Sequence, residues 1–453
     1  MVLGTYATLL IAGGTSLTPL LVYFGAVFAF FASVLWRPHV GLYFLVPLLP
    51  LQTLRYLLHP LPMGEKVVDF VLLGVIIGLF VRNRGRVFVH TPLNIFLAVW
   101  ASFHYLSLWR GAFFLGSDLP IWFSDPRLSN WKNYMIMPLI FLVVAAAIKE
   151  KRQAKILLIL MTLSVLRANL GFYNTVSDRD VSHFSYGLRY AGALGYAGEN
   201  GLAAFEAQLS LFCLAIYSFT KNLVAKAGIL ALMALCIYCL LFAFSRGGYL
   251  GFLTGILFLG VVRDRKFLIV LLVLILGWQV VIPTAVTERI FMTYEEGQID
   301  SSAGERVTIW QDAMTLVPQN PILGTGFDTY EFMGRVEEYR DTHNLYLKIL
   351  LETGIVGVVL FIVLLWKLFW LSFRLYQNSQ DNVFRALGLG CAAYIVCAVI
   401  VNFFGDRWMY LQVNGYLWAL LGLVARASMT RAPEEDHSAE IVESESELVP
   451  ATI

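Results

Sequence analysis

The sequence predicts an all-α fold: a polytopic transmembrane helix bundle of about 12–14 spans, with one long extramembrane loop carrying short amphipathic helices. Three observations lead there. Of the 453 residues, 58% are hydrophobic and 14% charged, with a mean hydropathy of +0.70; a soluble domain carries roughly 45–50% and about 25%. Apolar runs that meet or approach about 20 residues, the length a helix needs to cross hydrocarbon, recur along the chain. Lysine and arginine concentrate in alternate connections between those runs. The same composition excludes a disordered chain, a nucleic-acid binder with a basic face and a small disulfide scaffold.

The runs are 19–36, 40–57, 67–81, 93–109, 133–148, 155–173, 199–219, 223–243, 247–262, 266–283, 345–371, 384–404 and 407–425. The shorter ones require tilt or local bilayer thinning. Residues 2–13 add a further short or re-entrant piece; they lack a basic n-region and a small-residue cleavage site and are not read as a removable signal peptide. Arg82, Arg84 and Arg86, then Lys149, Lys151, Arg152 and Lys155, then Lys221 and Lys226, then Arg263, Arg265 and Lys266 mark cytoplasmic connections. Segments 58–66, 110–132, 174–198, the turn near 244–248 and the long segment 284–344 then lie outside, and the C-terminus lies inside. Residues 1–431 read as one bundle that includes the loop 284–344. Residues 432–453 hold seven acids and no lysine or arginine, so without them the formal charge rises from +2 to +9; this stretch is expected to be a disordered, cytoplasmic acidic tail. All five cysteines sit inside apolar runs and read as packing residues, the Cys236–Cys239 pair included.

Charge on the outer face needs a reason, because the positive-inside rule makes it the exception. Arg246 stands in FSRGGYLG at an outer junction, Arg189 in GLRYAGALGYAGEN, Arg306 at the start of the apolar-periodic stretch RVTIWQDAMTLV, and His343 in DTHNLYLKILLETGIVG. Guanidinium forks match phosphate oxygens and hold their protons, and an imidazole titrates near neutrality and can take a proton from a hydroxyl. Together they read as a phosphate clamp with a general base. Each residue also has a plainer reading: a snorkelling anchor for Arg246, a solvated loop charge for Arg189, a pair with Glu305 or Asp312 for Arg306, and a helix-cap partner for His343. Lys348 and Glu352, one turn apart, could form an intrahelical pair, and Asp406 and Arg407 read as a local salt bridge. No metal-ligand pattern lies on this face, so no cofactor is expected.

The arrangement GERVTIWQDAMTLVPQNPILGTGF followed by DTHNLYLKILLETGIVGVVLF closely resembles the O-antigen ligase/polymerase-like membrane family. FSRGGYLG is similar to that family's Ser-Arg-Gly element, and LRYAGALGYAGENGLAAF to its Arg-and-Gly segment. The resemblance covers roughly residues 185–370. One turn departs from it: the family's Asn-Pro-Asn stands here as Gly198-Glu199-Asn200, placing an extra acid near Arg189. The resemblance implies a bacterial inner-membrane enzyme whose active site faces the periplasm and whose donor is a glycan on undecaprenyl pyrophosphate. It implies that His343 deprotonates or orients the acceptor hydroxyl, and that Arg189, Arg246 and Arg306 bind the pyrophosphate and stabilise the charge that grows on it, which makes His343 and Arg246 the candidate catalytic pair; Asn344, Glu199 and Asn200 are candidate supporting residues beside them. The transfer would be metal-independent and inverting. The acceptor would be lipid A-core for an O-antigen ligase, a second lipid-linked unit for a polymerase, or a protein hydroxyl for an O-oligosaccharyltransferase. A transporter is the reading from another class; it would place its polar residues near mid-bilayer in symmetrically related halves.

Overall fold

The computed structural model describes residues 17–277, 282–292, 294–295, 298–299, 301–335 and 342–429. The N-terminal piece 2–13 and the acidic tail 432–453 lie outside the described residues. Helices occupy every apolar run named above. They are α1 (Thr18–Leu35), α2 (His39–Leu48), α3 (Gln52–Tyr56), α4 (Val67–Arg82), α5 (Asn94–Leu115), α6 (Pro126–Ala147), α7 (Lys151–Ser177), α8 (Gly198–Phe219), α9 (Leu223–Phe242), α10 (Arg246–Val262) and α11 (Lys266–Leu276). After the long loop come α15 (Leu345–Asn378), α16 (Asn382–Val401) and α17 (Leu411–Met429). The loop itself carries α12 (Thr284–Phe291), a two-residue hairpin (β1 Tyr294–Glu295, β2 Gln298–Ile299), α13 (Ser301–Leu316) and α14 (Thr329–Met333). Among the described residues seven helices are long and apolar enough to cross a membrane, and three shorter apolar helices accompany them. The chain is a polytopic helical bundle.

Local chemistry sets the helix starts. Asp125, Asn222, Asp381 and Asn344 each accept backbone N–H groups of the first turn, at 2.8–3.1 Å, filling donors a helix cannot satisfy internally. The run 40–57 is a correction to the expected single span. Its helix ends at Leu48, and α3 restarts at Gln52. Pro50 has no N–H to continue the ladder, so the chain turns after a helix of 10 residues.

At the centre, α8 and α16 lie against each other, flanked by α9, α10 and α15, while α17 packs on α6. Small residues set these distances. A Cβ on Gly255 would stand 2.0 Å from Leu211, and one on Gly251 2.6 Å from Val401; close backbone approach replaces the hydrophobic drive that lipid cannot supply. Polar contacts mark the two ends, and inside the bundle Asn169 Nδ2 donates to Glu206 Oε2 at 2.8 Å. At one end Lys151 pairs with Asp381, and Arg263 donates to the Ser218 carbonyl at 3.1 Å. At the other, Tyr196 N–H donates to Gln52 Oε1 at 2.8 Å and Asn130 Nδ2 to Asp328 Oδ2 at 2.7 Å. The latter end collects the segments expected outside.

The long loop is locked to the bundle by its Pro/Gly turn. Thr325 and Gly326 N–H groups donate to the carbonyls of Leu351 and Glu352 at 2.9 and 2.7 Å, and Ile355 N–H returns a bond to Pro321 O at 2.9 Å. Arg110 of α5 closes the turn from the other side, donating to Gly324 O and Asn320 Oδ1 at 2.7 and 2.8 Å. Helix α15 is kinked at Gly354, which has φ +65°. Gly324 has φ +66°, and a Cβ there would lie 2.3 Å from the Glu352 carbonyl carbon. The Gly324→Ala variant is therefore expected to lose at least about 3 kcal/mol of stability. Thermal unfolding of the detergent-solubilised protein checks this; an unchanged midpoint would refute the docking.

Candidate active site at one end of the bundle

The site is assembled from five segments of chain. Arg189 lies between α7 and α8, Arg246 opens α10, Arg289 sits in α12, Arg306 in α13 and Arg407 in the α16–α17 turn. Their charges act on one another. Burial pulls the Arg306 guanidinium below its usual range, and the strongest neighbouring charges, Arg407, Arg246, Arg189 and Arg289, all push the same way. Arg189 is lowered by burial first; Glu199 opposes that shift, and Arg289 and Arg407 add to it. Arg189 and Arg246, singled out from sequence, thus bear electrostatically on Arg306, together with Arg289 and Arg407.

Three of the guanidinium groups, those of Arg189, Arg246 and Arg289, have specific local contacts. Asn200 Oδ1 accepts from Arg189 at 3.2 Å and from the Ser245 hydroxyl at 2.7 Å, tying the start of α8 to the residue before Arg246. Glu199 lies 3.7 Å from Arg189. Arg246 donates to the Met292 carbonyl at 2.9 Å, which fastens α10 to the end of α12. Arg289 lies over the rings of Phe184 and Tyr186 at 5.2 and 5.3 Å. Glu288 beside it accepts from His183 Nδ1 and Phe184 N–H, both at 2.7 Å, which ties residues 183 and 184 to α12. The Nε atoms of Arg189, Arg306 and Arg407 are buried and have no hydrogen-bond partner among the described residues. Buried unsatisfied donors are costly, and an anion entering the cluster would fill them and offset the mutual repulsion.

His343 stands at the head of α15 with φ +50°. Two contacts fix its place. Asn344 caps the helix through Tyr346 and Leu347 N–H, so the cap is Asn344 and not His343. The indole of Trp310 donates to the Thr342 carbonyl at 2.9 Å, joining α13 to the residue before His343. Arg306 lies four residues before Trp310, hence on the same helix face about 6 Å away along the axis. One indole contact therefore joins the helix that carries Arg306 to the turn that presents His343.

Three plainer expectations are corrected or refined. Asp406 does not bridge locally to Arg407 but reaches Lys348 Nζ at 3.0 Å, while Asn402 Oδ1 holds the turn by accepting the Arg407 and Trp408 N–H groups, both at 2.9 Å. Lys348 also lies 3.9 Å from Asp328. Glu352 accepts the backbone N–H groups of Asp328 and Tyr330 at 3.0 and 3.3 Å, a structural role at the start of α14. Asp312 is engaged by Arg335 at 2.9 Å. Arg289 carries no mark in the sequence, because outer-loop arginines are numerous and Arg110 and Arg127, for example, serve structural bonds, while Arg407 reads as the partner of the acid before it. Burial of Arg289 and Arg407, 3% and 7% exposed, is a tertiary fact.

Fold and site together define a polytopic helical membrane protein with a guanidinium cluster at one end. Residues 231–362 match the model of the O-antigen ligase family. That stretch holds Arg246, Arg289, Arg306 and His343, while Arg189 and Arg407 fall outside it. The chain is similar to a protein of Rickettsia felis named "Putative polysaccharide ligase", at 25% identity over 217 residues, 42% of this chain and 50% of the relative. A Rickettsia conorii protein of the same description is 25% identical over 222 residues, 43% of this chain and 50% of its own length. The chain spans about half the length of the curated relatives it matches. The resemblance seen in the motifs is thus met independently, and it supports a ligase-like enzyme of the membrane.

Proposed function

We propose that the protein transfers a glycan from undecaprenyl pyrophosphate to an acceptor hydroxyl at the outer face of the bacterial inner membrane, with lipid A-core as the acceptor. The observation that carries this reading is the set of guanidinium groups bearing on Arg306, on a helix tied directly to the His343 turn. In the reaction the bond between the sugar C1 and the phosphate oxygen breaks, and its electron pair leaves on the pyrophosphate. The acceptor oxygen bonds C1 from the opposite face, and its proton passes to the His343 imidazole. The arginine cluster stabilises the charge growing on the leaving group, a contribution of about 10²–10³ in rate per contact. Orientation follows from the basic connections at the far end.

A polymerase would use the same site with a second lipid-linked unit as acceptor. Deleting the gene and resolving the lipopolysaccharide on a gel separates the outcomes. Loss of the O-antigen ladder with accumulated lipid-linked polymer is expected. Core bearing a single repeat would make the protein a polymerase, and an unchanged profile would overturn the lipopolysaccharide assignment.

A further inference from the structure

Beside the arginine cluster, at the same end of the bundle, lies a separate cavity of about 650 Å³ between α4, α6, the 327–331 segment and the α16–α17 turn. Its size falls within the range of ordinary small-ligand sites, roughly 300–1,000 Å³. Its walls mix planar polar groups with ring faces. Asn133 and Gln412 line it, as do Tyr134, Tyr196, Phe327 and Tyr410. Tyr134 and Phe327 stack at 5.9 Å with an interplanar angle of 10°. Two lining side chains carry buried polar atoms with no partner among the described residues: Asp406 Oδ1, on a side chain 5% exposed, and Arg55 Nε. Such orphans in a polar cavity mark a place for a ligand's hydroxyl groups, which both donate and accept.

The α16–α17 turn links this cavity to the arginine cluster. Asp406 lines the cavity, while the next residue, Arg407, is the strongest charged neighbour of Arg306. Lys348, which also lines the cavity, sits on α15 five residues beyond His343 and holds Asp406. From this placement we infer that the cavity seats a saccharide, the carbohydrate end of the acceptor, with the Asp406–Arg407 turn as the wall shared with the pyrophosphate site. This rests on the transfer reading above. Amide and carboxylate groups would bond the sugar hydroxyls, ring faces would cover its apolar C–H surfaces, and the acceptor hydroxyl would be brought toward the His343 turn.

The test measures binding of two probes to the full-length purified protein in detergent: deacylated core oligosaccharide from the host's own lipopolysaccharide, and undecaprenyl pyrophosphate. Asn133→Trp fills the cavity from an exposed position, and Tyr196→Ala removes a ring that is 70% exposed, so neither disturbs the core. Both variants are expected to weaken oligosaccharide binding at least tenfold and leave pyrophosphate binding unchanged, whereas Arg306→Ala should do the reverse. Wild-type oligosaccharide affinity retained in both cavity variants would overturn the inference. So would equal loss of both probes, or wild-type protein that binds the pyrophosphate and no oligosaccharide. Failure of wild-type protein to bind undecaprenyl pyrophosphate would instead sink the transfer reading.

Discussion

Replacing His343 with asparagine is expected to leave the bundle folded and to lower glycan transfer by about 10²–10⁴-fold, the usual contribution of a positioned acid or base. The choice of asparagine follows from the backbone. His343 adopts φ +50°, a left-handed conformation in which alanine is strained and asparagine is among the residues best tolerated. Asparagine therefore separates the proton-accepting ring from the shape of the turn. The helix cap at Asn344 and the Trp310–Thr342 bond do not involve the His343 side chain. The thermal midpoint should stay close to that of the wild type. Transfer would be followed with purified lipid-linked donor and acceptor; wild-type turnover in the His343→Asn protein would remove the base from the mechanism.

The second large effect concerns Arg306, and it has an unusual signature. A structural arginine, once removed, costs stability. Arg306 is half-buried among like charges, and its Nε has no hydrogen-bond partner among the described residues, so Arg306→Ala relieves repulsion and burial of charge. The variant is expected to unfold at the same or a higher temperature than the wild type while losing about 10²–10³ in transfer rate. Such a trade of stability for function is what a preorganised charged site predicts. Arg246→Lys should also impair transfer, because a point charge cannot supply the paired donors of a guanidinium. A fall in both midpoint and rate for Arg306→Ala would mark the residue as structural; full activity in Arg246→Lys would show that the fork is dispensable.

The conspicuous motifs divide on inspection of their contacts. The PILGTGF stretch and the Glu352-Thr353-Gly354 segment are conspicuous in sequence, and their backbones bond each other and brace the loop. The same is true of Asn344 and Asn200, whose side chains cap a helix and join two segments. Their spacing was legible because backbone pairing and capping need particular residues at fixed offsets. Arg289 and Arg407 carry no such local pattern. Arg407 follows an acid in sequence, and the obvious inference of a local pair failed because Lys348, 58 residues away in the chain, takes Asp406 instead.

By itself the sequence determined that this protein is a helical membrane bundle and which apolar runs its helices occupy. Those properties follow from hydropathy, length and charge, which are summed along the chain and require no knowledge of neighbours. Tertiary structure alone decided which arginines bear on Arg306, which partner takes Asp406, and that a polar cavity adjoins the cluster across one turn. Electrostatic coupling and burial depend on distances between segments far apart in the chain, and those distances exist only once the helices have packed.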